Sequence, residues 1–246
     1  YLSIHNMVGC MIDRFGDDAQ RRRFLPSLMT MARFASYALT EPGSGSDAAS
    51  LATRAVRDGD DYVVDGAKAF ISGGGRSDLY AVMVRTGDAG PGGITCLLIE
   101  ADAVGLSFGA QEQKMGWHSQ PTCEVRFDAV RVPVANRLGA AGEGFKIAMA
   151  GLDGGRLNIA ACSLGGAAAA LEQARAYVQE RRQFGHAIAD FQTTRFKLAD
   201  MATELEAARL LTHKAACALD EGDAERTTAC AMAKRFATDV GFRIVD

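Results

Sequence analysis

The stretch YALTEPGSGSD, residues 37–47, crowds Thr40, Ser44 and Ser46 among Pro42, Gly43 and Gly45, directly after an apolar run. Hydroxyls and unhindered backbone amides in one bent segment suit a phosphate-bearing ligand, because glycine lets the chain approach it closely. Glu41 and Asp47 flank the glycines, so the segment is not a simple basic trap for anions. It lacks the lysine of a Walker loop, and no strand–helix–strand pattern surrounds it, which sets aside the common nucleotide fingerprints. Two readings stay open from these residues alone: a bare turn, or a loop that cradles a ligand.

Three further segments carry chemistry of a compatible kind. KAFISGGG (68–75) reads as a strand end, and strand alternation would put Phe70 and Ser72 on one face with Ile71 on the other. An aromatic plane beside a hydroxyl suits a flat heterocycle, stacked on its face and hydrogen-bonded at its edge. LDGGRL (152–157) reads as a helix start with Arg156 behind Gly154 and Gly155, the arrangement of an anion site. ERRQFG (180–185) supplies Arg181, Arg182 and Phe184 between two helices, with Phe191 and Gln192 following. An isolated arginine pair is ordinarily solvated surface.

These segments need elements to hold them. The chain of 246 residues is long enough for more than one compact unit. It is 48% hydrophobic and 23% charged with a net charge of −3, so no basic excess argues for nucleic acid. No apolar run is long enough to span a bilayer. The six cysteines are scattered without a CxxC pair and are expected as reduced thiols of an intracellular protein. The four histidines lie far apart without metal-ligand spacing, so no metal site is expected. The chain begins at Tyr1 without a methionine, and the helical pattern through Met232, Phe236 and Val240 still runs near Asp246. A piece of a longer protein, cut inside a helix, is the expectation.

Three zones follow one another. Residues 1–34 read as helical, with a break at Gly16-Asp17, a cap from Asp17 or Asp18, and Phe24, Leu25 and Leu28 facing a core. Residues 35–138 hold short apolar runs (YVVDG, LYAVMV, ITCLLIE, LSF, CEVRF) separated by turn residues, the pattern of a small antiparallel sandwich or barrel. Residues 139–246 are alanine-rich with helical period. Leu157, Ala161, Leu164, Ala168, Leu171 and Val178 stripe one helix, and Leu198, Met201, Leu205, Ala208, Leu211 and Ala215 stripe the next. Small residues such as GGAAAA make that stripe a packing surface, not a cofactor box.

Taken in order, YALTEPGSGSD, KAFISGGG, RVPVANRLGAAGEGF and RRQFG resemble the acyl-CoA dehydrogenase family, and the resemblance covers essentially the whole chain. It implies an α+β multi-domain fold: a helical segment, a central antiparallel β-sandwich or barrel, and a C-terminal helical bundle. It also implies FAD. The matching flavin segment is Tyr37, Ala38, Leu39, Thr40, Glu41, Pro42, Gly43, Ser44, Gly45 and Ser46, with Phe70, Ile71 and Ser72 on the ring. Phe70 stands where the family usually has Trp, and Ser72 where it has Thr. Arg181, Phe191 and Gln192 match residues that hold the adenine half of FAD, typically in a neighbouring subunit of a homotetramer. Ser46, Asp153, Gly154, Gly155 and Arg156 match the surroundings of the acyl-CoA.

The implied reaction removes an α-proton and a β-hydride from an acyl-CoA thioester, and an electron-transfer flavoprotein takes the electrons. The flavin carries the redox chemistry; the protein supplies orientation and electrostatics. The motifs resemble most the branch acting on short branched acyl groups. A 2-methylbutyryl-CoA or short straight-chain acyl-CoA substrate, or a non-catalytic flavin- or acyl-CoA-binding homologue, are the alternatives. One departure matters. Most of the family carries the catalytic base as a C-terminal Glu, a minority just before the arginine of the LDGGR position, where this chain has Gly155. No catalytic residue is therefore expected within 1–246, and the base is expected beyond Asp246. The resemblance places such a protein in the cytoplasm of a bacterium or the mitochondrial matrix of a eukaryote.

Overall fold

Helix α1 (Leu2–Phe15) stops at Gly16, and Asp17 caps α2 (Asp18–Met29) through a reciprocal capping box with Gln20. The side chain of Asp17 accepts from the Gln20 amide at 2.8 Å, and Gln20 Oε1 accepts from the Asp17 amide at 3.2 Å. This is the break and the cap expected from the sequence. Phe24 and Leu28 are buried and Leu25 packs beside them. The computed structural model describes residues 2–246; Tyr1 lies outside the described residues. Contacts divide the chain into two compact units, Tyr1–Leu152 and Asp153–Asp246.

In the first unit eight strands follow: β1 (Ala35–Ala38), β2 (Arg54–Asp58), β3 (Asp61–Ser72), β4 (Leu79–Arg85), β5 (Ile94–Glu100), β6 (Leu106–Gln111), β7 (Thr122–Pro133) and β8 (Arg137–Leu138). They form one sheet in the order β6-β7-β3-β2-β4-β5-β8, with β1 beside β4. The sheet is mixed and not wholly antiparallel, because β1 and β2 both run parallel to β4. The reason is connectivity: β1 reaches β4 only after a long excursion through β2 and β3, and such crossovers permit parallel pairing. β5 touches β7 although three strands separate them in the order, so the sheet curls over its own core.

Alternation along β4 and β5 divides that core. Leu79, Ala81, Met83, Ile94, Cys96 and Leu98 face Met7, Met11, Phe24 and Leu28 of the two helices. Tyr80, Val82, Val84, Leu97 and Ile99 face Val64, Val125 and Val130 on the other side. Helix α3 (Gly144–Glu180) begins against this sheet, where a Cβ on Gly144 would lie 2.5 Å from the Thr95 carbonyl carbon. Only backbone stands there, and it has little room to move. Gly144→Ala is expected to cost roughly 1–3 kcal/mol by overpacking. The check is a lower denaturant midpoint with an unchanged m-value.

The second unit holds most of α3, then the hairpin β9 (Arg182–Gln183) and β10 (His186–Ala187), α4 (Gln192–Asp220) and α5 (Arg226–Val245). Its core is Ala160, Ala167, Leu171, Leu205, Ala208, Ala237, Val240 and Ile244. On α3 the buried stripe therefore runs through Ala160 and Ala167, while Ala161 is exposed, one step away from the stripe read off the sequence. Alanine is too small and too common here to fix the phase of a helix by itself. α3 also runs unbroken through Gly154-Gly155, so Arg156 lies inside a helix and not at its start. A glycine in a helix interior costs about 1 kcal/mol, which packing along a 37-residue helix readily outweighs. All six cysteines are free. Among the described residues no helix is long and apolar enough to cross a membrane.

Candidate functional site

In the first unit the loop after β1 is moored along its inner side and open along its outer side. Thr40 O accepts from the Ala69 amide of β3 at 2.8 Å. Glu41 and Ser44 exchange backbone hydrogen bonds at 2.9 and 3.1 Å, and Ser44 Oγ donates to Asp47 O at 2.6 Å. Leu39, Glu41 and Ser44 are thus buried, whereas Pro42, Gly43, Gly45 and Ser46 are exposed. Neither Gly43 nor Gly45 has a positive φ, and a Cβ on either would meet nothing within 4 Å. The fold itself does not call for glycine at these two positions. Glycine there leaves the outer backbone open to close approach.

The buried inner side carries an ion pair. Lys68, with a fully buried side chain, donates from Nζ to Glu41 Oε1 at 2.7 Å and to Leu39 O at 3.0 Å. The carboxylate also accepts from the Thr53 amide at 2.9 Å and the Ala52 amide at 2.6 Å. Burial pushes the Glu41 carboxyl up, but the Lys68 ammonium and the hydrogen bonds from Lys68, Thr53 and Ala52 outweigh it and hold the carboxyl below its usual range. On Lys68 burial wins instead, pulling the ammonium down to about 8 against the attraction of Glu41. The two partners differ because the carboxylate gathers several donors, while the lysine has one anion and the repulsion of Arg85.

The carboxylate's contribution to stability is complete above its ordinary pKa of 4.5 and is lost as pH falls through its lower folded value. The melting-temperature gap between wild type and Glu41→Gln is therefore expected to be widest above that pH and to narrow in acid. Thermal melts of both proteins across pH 3 to 7, on the order of the range in which carboxylates titrate, check this.

β3 is bulged just beyond the lysine. Its register against β7 shifts between Lys68 and Ile71, and Phe70 sits at φ +57°. Regular alternation would send Phe70 inward with Tyr62, Val64 and Lys68. The bulge reverses the phase, so Ile71 enters the core and Phe70 stands 65% exposed, with Ser72 half-buried. Phe70 and Ser72 do flank an inward Ile71, as expected, but a bulge and not plain alternation puts them there. Ser36 Oγ donates to Ser72 O at 2.5 Å, which fixes the strand end. The partly buried Tyr37 packs against the helix-side core, and its buried phenol oxygen has no hydrogen-bond partner among the described residues. Burial, with a lesser push from Cys96, raises its pKa well above the usual phenol value.

In the second unit Asp153 is buried and fully engaged. Oδ1 accepts from Arg156 Nη1, and Oδ2 accepts from Thr227 Oγ1 of α5 at 2.8 Å. Gly154 opens onto free space. Arg181 and Arg182 are exposed and make no ion pair among the described residues, unlike Arg195, which reaches Asp190. Beside them Phe184 and Gly185 turn the β9–β10 hairpin with positive φ. The Phe184 and Phe191 rings meet edge-on at 6.4 Å, and Gln192 opens α4.

Within the first unit, then, Thr40 lies beside Ala69 and the bulge that presents Phe70; within the second, Arg181 is near Ile188, and Asp153 joins Arg156. Two participants were missed from sequence. Lys68 had a readable signal, a lysine in phase with Tyr62 and Val64 on β3. Thr227, 74 residues from Asp153, had none.

Family models match in both units: the acyl-CoA dehydrogenase middle domain over residues 36–130 and the acyl-CoA dehydrogenase C-terminal domain over residues 142–246. The mitochondrial isobutyryl-CoA dehydrogenase of Bos taurus is 57% identical over 244 residues, covering 99% of this chain and 59% of its own length. The solved butyryl-CoA dehydrogenase of Megasphaera elsdenii superposes with a TM-score of 0.95 at 43% identity, over 99% of this chain and 64% of that one. A chain solved in work on the electron transferring flavoprotein of Acidaminococcus fermentans, and on flavin-based electron bifurcation, also gives 0.95, at 42% identity and the same coverage. The chain therefore spans about three fifths of the relatives it matches, and by both domain models and these identities it belongs to the acyl-CoA dehydrogenase family.

Proposed function

We propose that the protein dehydrogenates a short branched acyl-CoA between its α and β carbons with FAD as acceptor, converting isobutyryl-CoA to methacrylyl-CoA as in valine breakdown. The observation that carries this reading is the open edge of the first unit, where Gly43, Gly45 and Ser46 are exposed and the bulge turns Phe70 out of the core. An apolar ring presented to solvent beside a glycine cradle fits a flat ligand with a phosphate tail. Bound FAD would supply the hydride acceptor.

This chain's residues bind and orient. The segment Tyr37–Ser46, with Phe70, Ile71 and Ser72, would hold the flavin. Arg181, Phe191 and Gln192 take the adenine half in a neighbouring copy of a homotetramer; the unpaired guanidinium and the nearby aromatic rings support that role. Asp153, Gly154, Gly155 and Arg156 would line the acyl-CoA, and the Asp153–Arg156 pair supports this by fixing the arginine within α3. The base is a glutamate beyond Asp246. An electron-transfer flavoprotein receives the electrons. The domains are a helical end at 1–34, a β-domain at 35–138 and a helical domain at 139–246, working in the cytoplasm of a bacterium or the mitochondrial matrix.

Absorbance titration of the full-length protein with FAD tests the reading, and the absence of a bound flavin band would sink it. Ser72→Ala is expected to weaken FAD binding by about 0.5–1.5 kcal/mol, the worth of one neutral hydrogen bond. The butyryl-CoA dehydrogenase likeness supports a straight-chain substrate as the second reading. One methylene discriminates by only ~1–3 kcal/mol, so kcat/KM over a panel of acyl-CoAs decides between them.

A further inference from the structure

We propose that the buried Glu41–Lys68 pair is the positioning device of the ligand-facing loop, holding the backbone of Leu39–Ser44 against the bulged end of β3. The identity of the ligand rests on the flavin reading above; the mooring does not.

Three observations converge on it. First, the pair ties three segments together. Lys68 reaches Leu39 O and Glu41, and Glu41 in turn takes the amides of Ala52 and Thr53. One cluster thus links the loop, the approach to β2, and β3. Second, the pair stands directly before the bulge. Ala69, between Lys68 and Phe70, gives its amide to Thr40 O, so the same short stretch of β3 grips the loop and turns the aromatic ring outward. Third, the site does not require charge for packing. A buried ion pair commonly contributes no more than apolar residues of the same volume would, so the role assigned to this one is the single geometry it selects.

The carboxylate has two oxygens, and both are committed; the ammonium has three donors, two of them aimed at the loop. An apolar pair would fill the volume but leave the Leu39 carbonyl, the Ala52 amide and the Thr53 amide to find other partners. The loop would then have several paths where it now has one. The side-chain hydrogen bonds of Glu41 and Lys68 go to Leu39, Ala52, Thr53 and each other, and none reaches Pro42, Gly43, Gly45 or Ser46, so both side chains act through the backbone they hold and are positioning groups.

The test compares wild type, Lys68→Met and the double variant Glu41→Leu/Lys68→Met in the full-length protein. Each is followed by thermal melting, by amide hydrogen exchange over residues 39–46, and by FAD titration through flavin fluorescence. The double variant, with no stranded charge, is expected to melt above Lys68→Met. Its 39–46 amides should nevertheless exchange at least tenfold faster, with FAD bound at least tenfold more weakly and a flavin spectrum altered from wild type. A double variant with wild-type exchange in 39–46 and wild-type FAD affinity would overturn the proposal. If Lys68→Met does not fold, the double variant alone decides. If the wild type binds no FAD, the flavin reading falls while the exchange comparison still settles the mooring.

Discussion

Loaded with FAD, the 246-residue chain is expected to reduce its flavin with isobutyryl-CoA ~10²–10⁴-fold more slowly than the full-length protein, the usual cost of a missing general base, if the base is the glutamate proposed beyond Asp246. A thioester α-proton is too weakly acidic to leave without a positioned carboxylate. The carboxylate within the 153–156 segment proposed for the acyl group is Asp153, and both its oxygens are committed, one to Arg156 and one to Thr227. It also points the wrong way: two residues on an α-helix subtend about 200°, so Asp153 and position 155 lie on opposite sides of α3. Position 155 is glycine. Placing Glu there, in a full-length protein whose proposed base, the glutamate beyond Asp246, is changed to Gln, should recover part of the rate, more for small acyl groups than bulky ones. Anaerobic flavin bleaching in a stopped-flow instrument measures both effects. Bleaching of the 246-residue chain at the full-length rate would show that the base lies within it.

The second large effect is on stability. Lys68→Met leaves the Glu41 carboxylate buried against two amides with its counter-charge gone. Removing one partner of a buried pair costs about 3–5 kcal/mol. At ~2–4 °C per kcal/mol for a chain of this size, melting should fall by roughly 6–20 °C. The loss should ease in acid, where the stranded carboxyl can protonate, and shrink again in the double apolar variant. A Lys68→Met protein that melts with wild type at neutral pH would mean that water reaches the carboxylate.

Why some of this was legible in the sequence and some was not comes down to the range over which each signal acts. The cap at Asp17, the strands at YVVDG and LYAVMV, and the helical zone after Gly144 are set by local periodicity and turn chemistry, and they stand where those rules put them. The loop at 37–47 was marked by composition. What failed was phase. The bulge between Lys68 and Ile71 follows from pairing with β7, some 50 residues on, and no local pattern announces it. Arg156 read as a helix start because paired glycines usually interrupt helices, yet packing carries α3 straight through them. The parallel pairing of β1 with β4 was equally out of reach, since apolar alternation says which face is buried but not which strand lies alongside.

Burial of β4 on both faces sets how this protein can drift over generations. Along most of β7, outward positions such as Arg126 and Arg131 alternate with inward Val125, Phe127, Val130 and Val132, so roughly every second site is free to vary. From Leu79 to Val84 there is no outward position: helices stand on one side and the curled sheet on the other. Each change there must suit two neighbours at once, and a polar side chain suits neither. Substitutions along the exposed loop edge are therefore expected to disturb the fold far less than substitutions at these six residues.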